Sequence, residues 1–267
     1  MLDIPLKKNA HIHMIGICGT AMASLAGILR EMGYKVSGSD ENVYPPMSTQ
    51  LEEVGIKIMM GYKAENLDPK PDLVIVGNVI PKKNPEAIKL LETKIPYKSL
   101  PEMMGELVIG DRESYVVAGT HGKTTATSLL AWVAEKCGYK PGFLIGGIPK
   151  NFPHSFRKPE GSVFVIEGDE YDTAFFAKVP KFIFYKPRFV ILTSVEFDHA
   201  DIYNSLDDVM KAFHMLLDKM PNDGLLVYHA GDKNIKRLLQ TRRAVKSISY
   251  GKDEGDYTIG KVVQTEK

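Results

Sequence analysis

The segment Gly119-Thr-His-Gly-Lys-Thr-Thr125 combines glycines, a lysine and threonines in the order that a phosphate-binding loop requires. It follows the apolar run 115–118 and precedes a helix-forming stretch, which predicts a strand, a glycine turn and a helix start. The N–H groups at a helix start attract an anion, and Gly122 allows the backbone to approach it closely. We expect Lys123 to face solvent and reach the β- and γ-phosphates, and the Thr124 hydroxyl to ligate Mg²⁺.

The loop departs from the usual Gly-x4-Gly-Lys-Ser/Thr spacing, because Val117 stands where the first glycine would be. The nearest glycine is Gly119, so the loop is shorter than the standard one. A chance Gly-Lys-Thr at the start of a helix is the structural alternative. The strand–turn–helix context is what phosphate binding requires, and we interpret the segment as a variant ATP-binding loop.

Acidic residues follow a second apolar strand, at Glu167, Asp169 and Glu170. An acid at a strand end beside a phosphate loop is the usual partner of Mg²⁺, which prefers hard oxygen ligands. Glu167 lies nearest the strand end and is predicted as the ligand. A third apolar strand is followed by Asp198 and His199, and His199 could hold a second cation or orient the substrate.

A second glycine cluster, Gly16-Ile-Cys-Gly-Thr-Ala-Met22, follows a predicted strand and opens a helix. Asp40 ends the next strand about 20 residues later, where a ribose-binding acid would lie. The spacing is Gly-x-x-Gly rather than Gly-x-Gly-x-x-Gly, which favours a nucleotide diphosphate at the helix start over NAD. A tight turn that needs glycine for packing is the structural alternative, but the small polar residues 37–40 favour a ligand.

Short apolar strands alternate with helical patterns along the chain, which predicts parallel sheets. A polar break at Gly110-Asp-Arg112 divides this α/β pattern. Residues 1–110 are predicted as a Rossmann-like domain, and residues 111–267 as a P-loop-type α/β ATPase domain. The strand predicted at 257–263 stops close to the last residue, so the sequence reads as though it ends inside or just after a domain.

The composition is that of a globular protein, with 44% hydrophobic residues in 267 and a net charge of +1. That charge provides no bulk electrostatic reason for binding nucleic acid or a membrane. Cys18 and Cys137 predict buried, reduced thiols rather than a disulfide framework. A signal-peptide pattern and an apolar stretch of ~18 residues are both absent from the sequence, so we expect a cytoplasmic protein. The sequence carries no indication of oligomeric state.

Three motifs together resemble those of the ATP-dependent Mur ligases of peptidoglycan synthesis: 119–125, Glu167-Gly-Asp-Glu170 and Asp198-His199. The 16–22 loop resembles the N-terminal loop of the muramate-recognising members. Finer features resemble the recycling branch, which joins UDP-N-acetylmuramate to L-alanyl-γ-D-glutamyl-meso-diaminopimelate; the next most similar branch adds L-alanine. These features are the segments 77–80 with Asn84-Pro85, 142–149 with Asn151-Phe152, and 169–176. The chain departs from the branch pattern at Lys82-Lys83, where Arg-Gly is expected, and at Gly168, where alanine is expected.

The resemblance implies that ATP and Mg²⁺ are the cofactors. UDP-N-acetylmuramate and a murein peptide or amino acid would be the substrates. ATP would contact Gly119, Thr120, His121, Gly122, Lys123, Thr124 and Thr125. Metal would be held by Thr124, Glu167 and His199, and the catalytic residues would be Lys123 and His199. The sugar nucleotide would contact Gly16, Cys18, Gly19, Thr20, Ala21, Met22, Ser39, Asp40 and Asn78.

The family has a third, C-terminal domain that binds the amine substrate, and 267 residues are too few to include it. The family's adenine-contacting His/Asn segment is not apparent either. We therefore expect a fragment that binds nucleotide but ligates nothing alone. Two other function classes stay open. An NAD(P)-dependent oxidoreductase would use Gly16, Gly19 and Asp40 but leave the 119–125 loop without a role, and a non-catalytic nucleotide-binding module would need no third domain.

Overall fold

The computed structural model describes residues 6–198, 203–240 and 245–260. Its first half is built from short strands and helices in alternation. They are β1 (His11–Ile15), α1 (Thr20–Glu31), β2 (Lys35–Asp40), α2 (Met47–Glu53), β3 (Lys57–Met60), β4 (Leu73–Val76), α3 (Pro85–Thr93), β5 (Tyr97–Ser99) and α4 (Leu100–Met103). A 3₁₀ turn covers Ala64–Leu67, and a π-helical turn, Met104–Ile109, continues α4.

The second half continues the alternation after the predicted polar break. Its elements are β6 (Glu113–Ala118), α5 (Lys123–Lys136), β7 (Gly142–Leu144), β8 (Phe156–Arg157), β9 (Val163–Gly168), β10 (Asp172–Ala174), β11 (Ala177–Pro180), β12 (Pro187–Leu192), α6 (Leu206–Asp218), β13 (Leu225–His229), α7 (Lys233–Gln240), β14 (Lys246–Gly251) and β15 (Tyr257–Thr258). A 3₁₀ turn at Lys181–Phe184 lies between β11 and β12.

The first sheet has the order β3-β2-β1-β4-β5, and all its strands are parallel. All four residues of β4 are buried, as expected for a strand covered on both faces. Ile15 at the end of β1 pairs with Ser39 of β2 and with Val76 of β4. The glycine loop after β1 therefore begins between two neighbouring strand ends, at the point where the strand order reverses. This confirms the predicted Rossmann-like parallel sheet.

The second sheet has the order β15-β14-β13-β12-β6-β9-β7-β8. Its pairs are parallel except β7 with β8, which is antiparallel, and β10 and β11 form a separate antiparallel hairpin. Ala118 at the end of β6 pairs with Gly168 of β9 and with Leu192 of β12. The segments after these three strands therefore start at one edge of the sheet. This is the predicted P-loop-type α/β arrangement.

Several sequence expectations need correction. The last strand covers Tyr257–Thr258 rather than 257–263, and residues 261–263 lie outside the described residues. The strands β5, β7, β8, β10 and β11 were not predicted, because runs of two to four residues carry no clear periodicity. Both cysteines are free as expected, but neither is fully buried: Cys18 is half-buried and Cys137 is exposed. Across the described ranges, none of the helices has the length and apolar character needed to cross a membrane.

A continuous apolar core joins the two sheets. Side chains of α1 belong to the same buried cluster as those of β9, β12 and α6. The closest link is between α1 and the β7–β8 hairpin, where Gly27 packs under the ring of Phe156 and the hydroxyls of Ser24 and Ser155 are 3.0 Å apart. Every strand of the first sheet precedes residue 110, and every strand of the second sheet follows it, so we infer a domain boundary at this position. The apolar core nevertheless extends across the boundary.

A methyl group at position 27 would overlap the Phe156 ring, and both residues are buried. We expect Gly27→Ala to lower the free energy of unfolding by about 1–3 kcal/mol, as overpacking does, although alanine favours a helix. Urea denaturation measures the change. The double variant Gly27→Ala/Phe156→Leu should lose less than the sum of the single changes. A more stable Gly27→Ala protein would contradict this packing.

Candidate functional site

The predicted phosphate loop lies between β6 and α5, as its sequence pattern requires. Gly119 has φ of 130°, and a Cβ atom there would collide with Thr193 and Ser194, so only glycine fits. The Thr193 hydroxyl donates to the His121 carbonyl at 2.6 Å, and the Thr120 amide donates to the Ser194 carbonyl at 2.9 Å. The segment that follows β12 therefore holds the phosphate loop in shape.

Lys123 turns back into the loop, so the expectation that it faces solvent is wrong. Its side chain is 11% exposed. The ammonium donates to the Gly119 carbonyl at 2.7 Å and to Glu170 Oε2 at 3.3 Å. Glu170 itself is 2% exposed. The cation predicted to meet the phosphates is thus already inside the loop, with a buried carboxylate as its counter-ion.

Thr124 and Glu167 meet at the start of α5. The Thr124 hydroxyl donates to Glu167 Oε1 at 2.9 Å, and the Gly146 amide donates to Glu167 Oε2 at 2.8 Å. Burial raises the pKa of Glu167 above its ordinary value, and the Asp169 carboxylate raises it further. The hydrogen bonds from Gly146 and Thr124 and the charge of Lys123 oppose this rise in the pKa. The free carboxylate is therefore costly here, and an added cation would stabilise it.

The Thr124–Glu167 pair fits Mg²⁺, because both donors are hard oxygens and Mg²⁺ takes only one or two protein ligands beside phosphate and water. Within residues 6–198, 203–240 and 245–260, no cluster of three or more His, Cys, Asp or Glu side chains could hold a metal ion alone. A metal at this pair would accordingly need further oxygens from phosphate or water. His199, predicted as a metal ligand and catalytic residue, lies outside the described residues.

Asp40 holds the first glycine loop through hydrogen bonds to backbone amides. Its Oδ2 accepts from the Cys18 amide at 2.9 Å, and its Oδ1 accepts from the Asn42 amide at 2.9 Å. The residue is 7% exposed. With both oxygens bound to backbone amides, Asp40 is placed to shape the loop rather than to meet a ribose or sugar directly.

Ser39 lies deeper than its predicted role suggests. It is fully buried, and its hydroxyl donates to Glu86 Oε2 at 2.7 Å. Its carbonyl accepts from the amides of Gly16 and Ile17 at 2.8 and 3.1 Å. Glu86 also contacts His13 inside the sheet, with 3.1 Å between its Oε2 and the imidazole Nε2. Ser39 therefore connects the loop to a buried polar network.

A cavity of about 370 Å³ lies between the two halves of the chain. Five residues predicted to contact the sugar nucleotide line it: Gly19, Thr20, Ala21, Met22 and Asn78. The second half contributes, among others, Glu167, Asp169 and Lys181. The structure thus brings the start of α1 and the predicted metal ligand to one space. The remaining predicted residues, Gly16, Cys18, Ser39 and Asp40, lie outside this lining.

Cys18 is expected to resist alkylation, because burial and the Asp40 carboxylate raise the pKa of its thiol to about 11. A thiol with the ordinary pKa of 9.0 would have a thiolate fraction about 100-fold larger at pH 8 than Cys18 has. The more basic Cys18 thiolate is a better nucleophile, which offsets about tenfold of this difference. Iodoacetamide at pH 8 should therefore label the exposed Cys137 at least about tenfold faster. Peptide mass spectrometry measures both rates. Asp40→Asn should accelerate labelling of Cys18, and equal rates in the wild type would contradict the burial argument.

Comparison with known protein families agrees with this geometry. Residues 11–112 match "Mur ligase family, catalytic domain", and residues 117–267 match "Mur ligase middle domain". The chain belongs to the Mur ligase family. Both glycine loops of this Mur ligase chain fall inside the matched ranges, so the resemblance based on the sequence motifs is confirmed.

The relatives of this Mur ligase chain include both predicted branches. It is 50% identical over 228 residues to the UDP-N-acetylmuramate–L-alanyl-γ-D-glutamyl-meso-2,6-diaminoheptandioate ligase of Escherichia coli K12. The alignment covers 85% of this chain and 50% of the relative. It is 35% identical over 265 residues to a UDP-N-acetylmuramate–L-alanine ligase of Clostridium botulinum strain Langeland, covering 99% of this chain and 56% of the relative. The chain thus spans about half the length of the curated relatives it matches.

A solved structure supports the fold. The crystal structure of the UDP-N-acetylmuramate:L-alanyl-γ-D-glutamyl-meso-diaminopimelate ligase from Neisseria meningitides superposes with a TM-score of 0.87. The two chains are 43% identical, and the match covers 92% of this chain and 79% of the other. The higher identities on the recycling side confirm that this Mur ligase chain is more similar to that branch than to the L-alanine branch.

Sequence reasoning missed two residues of the site, Gly146 and Lys181, and the partner of a third, Glu170. Glu170 had a signal, its place in the acidic run, but its pairing with Lys123 depends on the tertiary fold. Gly146 contributes only a backbone amide, which side-chain patterns do not reveal. Lys181 had no signal, since only the β10–β11 hairpin and the turn that follows bring it to the cavity.

Proposed function

We propose that this Mur ligase chain supplies the ATP and sugar-nucleotide sites of an ADP-forming ligase. The reaction would join UDP-N-acetylmuramate to L-alanyl-γ-D-glutamyl-meso-diaminopimelate. One observation carries the proposal: the start of α1 and Glu167, the hydrogen-bond partner of Thr124, line the same cavity. The peptide is favoured over L-alanine because the relative that is 50% identical is named for the peptide reaction.

ATP would bind across the 119–125 loop with its phosphates at the start of α5, where helix N–H groups and the dipole attract anions. Lys123 would turn from the Glu170 carboxylate to the β- and γ-phosphates. Thr124 and Glu167 would hold Mg²⁺, which when bound neutralises phosphate charge and acts as a Lewis acid. His199 stays a predicted ligand for a second cation.

The diphosphate of the sugar nucleotide would lie at the start of α1. The amides of Thr20, Ala21 and Met22 open that helix and have no partner within it. Gly19 precedes them in an extended conformation, which leaves the approach free of a side chain. Asn78 lines the same cavity and would contact the ligand from the turn that follows β4, the strand that neighbours β1. Asp40 and Ser39 would act indirectly, by holding the loop.

In the proposed reaction the lactyl carboxylate of the muramate attacks the γ-phosphorus. A carboxyl O–P bond forms, the bond to the β-phosphate oxygen breaks, and ADP leaves with that electron pair. The peptide amine then attacks the acyl carbon: a C–N bond forms, the acyl C–O bond breaks, inorganic phosphate leaves with that electron pair, and the nitrogen loses a proton to water as the amide forms. The residues described here would serve the first step, which depends mainly on positioning and charge neutralisation.

A titration of this chain with three ligands tests the proposal: a non-hydrolysable ATP analogue with Mg²⁺, UDP-N-acetylmuramate, and NADH. Calorimetry should detect binding of the first two and no binding of NADH. Binding of NADH alone would favour the oxidoreductase and overturn the proposal. Amide formation by the 267 residues alone, measured in parallel, would refute the expectation that this chain binds without ligating.

A further inference from the structure

Lys181 is a lysine enclosed in the wall of the cavity. It begins the turn Lys181–Phe184, and its side chain is 12% exposed. Its Nζ lies 3.6 Å from Asp169 Oδ2 and 5.5 Å from the centre of the Tyr171 ring. Lysine is seldom buried to this extent unless an opposite charge faces it. The cavity therefore has a fixed cation in its lining.

Two carboxylates, Glu167 and Asp169, line the same cavity. The 3.6 Å between Lys181 and Asp169 exceeds the length of a direct N–H···O hydrogen bond, which is about 2.7–3.2 Å. An anion entering the cavity can therefore form a closer contact with the ammonium than Asp169 has. The same anion would be repelled by the two carboxylates if Lys181 did not offset them.

The turn that carries Lys181 is packed against the rest of the second half. Its backbone amide donates to the Tyr171 carbonyl at 3.0 Å. The next residue, Phe182, is fully buried, and its ring centre is 5.8 Å from that of Phe213 in α6. Tyr185, which ends the turn, is 3% exposed and also lines the cavity. A charge carried on such a packed element can position a ligand rather than merely attract it.

The chemistry of the proposed function, on which this inference rests, decides which anion Lys181 meets. UDP-N-acetylmuramate carries a diphosphate and a lactyl carboxylate. The start of α1 suits the diphosphate, whereas the carboxylate must approach the phosphate at Lys123 and Thr124. Lys181 lines the cavity together with Glu167, the partner of Thr124. The geometry points to Lys181 as the residue that binds the lactyl carboxylate and positions it for phosphorylation.

Lys181 is then a specificity residue. UDP-N-acetylglucosamine has the same nucleotide and the same sugar ring but lacks the lactyl ether and its carboxylate. A residue that binds the diphosphate contributes equally to both ligands, and a residue that binds the carboxylate contributes to one. The difference between the two affinities therefore isolates the contact of Lys181.

The test is the affinity of Lys181→Met for both sugar nucleotides, measured by calorimetry on this chain. The affinity for UDP-N-acetylmuramate should fall at least about tenfold, as expected for loss of a charged hydrogen bond. The affinity for UDP-N-acetylglucosamine should stay within about twofold of the wild type, because its contacts remain. Lys178→Met, three residues earlier and exposed on β11, is the matched control and should change neither affinity.

An equal loss for both sugar nucleotides, or no loss for either, would overturn the inference while leaving the proposed function intact. A wild-type chain that binds neither ligand would overturn the proposed function and the inference with it. Lys181→Gln is measured in parallel, so that the comparison survives if the methionine variant misfolds. Binding of the ATP analogue, unchanged in every variant, reports that the second half of the chain is folded.

Discussion

Lys123→Ala is expected to lower ATP-dependent amide formation by the complete ligase at least about 100-fold, because one donor of charge to a reacting group contributes about that much. The variant should also be less stable than the wild type. Glu170, which is 2% exposed, would lose its ion pair with Lys123, at a cost of about 1–3 kcal/mol. Turnover and urea denaturation measure the two effects separately.

Two controls separate charge loss from misfolding. Lys136→Ala removes an exposed lysine at the other end of α5 and should leave turnover unchanged. The double variant Lys123→Ala/Glu170→Gln also replaces the buried carboxylate that has lost Lys123 as its counter-ion, and it should regain stability but not activity. If Lys123→Ala turns over at the wild-type rate, the 119–125 loop is not the ATP site.

Glu167→Gln should abolish the stabilisation that Mg²⁺ with an ATP analogue confers on the chain, because it removes the carboxylate proposed as the metal ligand. In the absence of ligand, the same substitution should raise the stability of the chain rather than lower it. The glutamine amide can donate to the Thr124 hydroxyl and its carbonyl can accept from the Gly146 amide, so both hydrogen bonds are kept. Loss of ligand response would thus occur without loss of fold, as is common at functional sites.

The pH dependence follows from the raised pKa of Glu167. A carboxyl group whose pKa is raised on folding binds its proton more tightly in the folded state. Its favourable contribution is therefore complete below the unfolded pKa, near 4.5, and is lost as the pH rises through the folded pKa. Glutamine resembles the protonated form. The melting temperature of Glu167→Gln should equal that of the wild type at pH 4, rise above it as the pH passes through the raised folded pKa, and stay higher by a constant margin at still higher pH.

Glu160→Gln provides the comparison, since Glu160 is exposed just before β9 and its replacement should alter neither melting temperature nor ligand response. A Glu167→Gln chain that still gains stability from Mg²⁺ and the ATP analogue would exclude Glu167 as the ligand. A variant less stable than the wild type at pH 8 would show that the half-buried Glu167 carboxylate is not destabilising.

The parts of the fold that could be predicted from sequence are those with local causes. A β-branched run, glycines and a helix-forming stretch follow one another in residues 115–134, so the strand, the loop and α5 are encoded within one segment. The same holds for β1, its glycine loop and α1. The position of Glu167 beside the phosphate loop could be predicted, because the sheet itself places an acid at the end of a neighbouring parallel strand.

Other features depend on which distant segments meet, and no local pattern encodes that. Ser39 and Asp40 have the composition of ligand contacts, yet their partners are Glu86 and backbone amides. Lys123 has the sequence context of a solvent-facing lysine, but Glu170, 47 residues away, pairs with it inside the loop. The cavity itself appears only when the two sheets pack, which the alternation of strands and helices does not specify.

The contact between α1 and the β7–β8 hairpin has a consequence for how the molecule folds. Separate domains usually unfold in separate steps, each with its own core. Here α1, which begins at the first glycine loop, completes its burial against a hairpin of the other sheet. Neither half can then reach its full stability alone, and the two sheets should behave as one cooperative folding unit. The cavity between them therefore exists only in the fully folded chain.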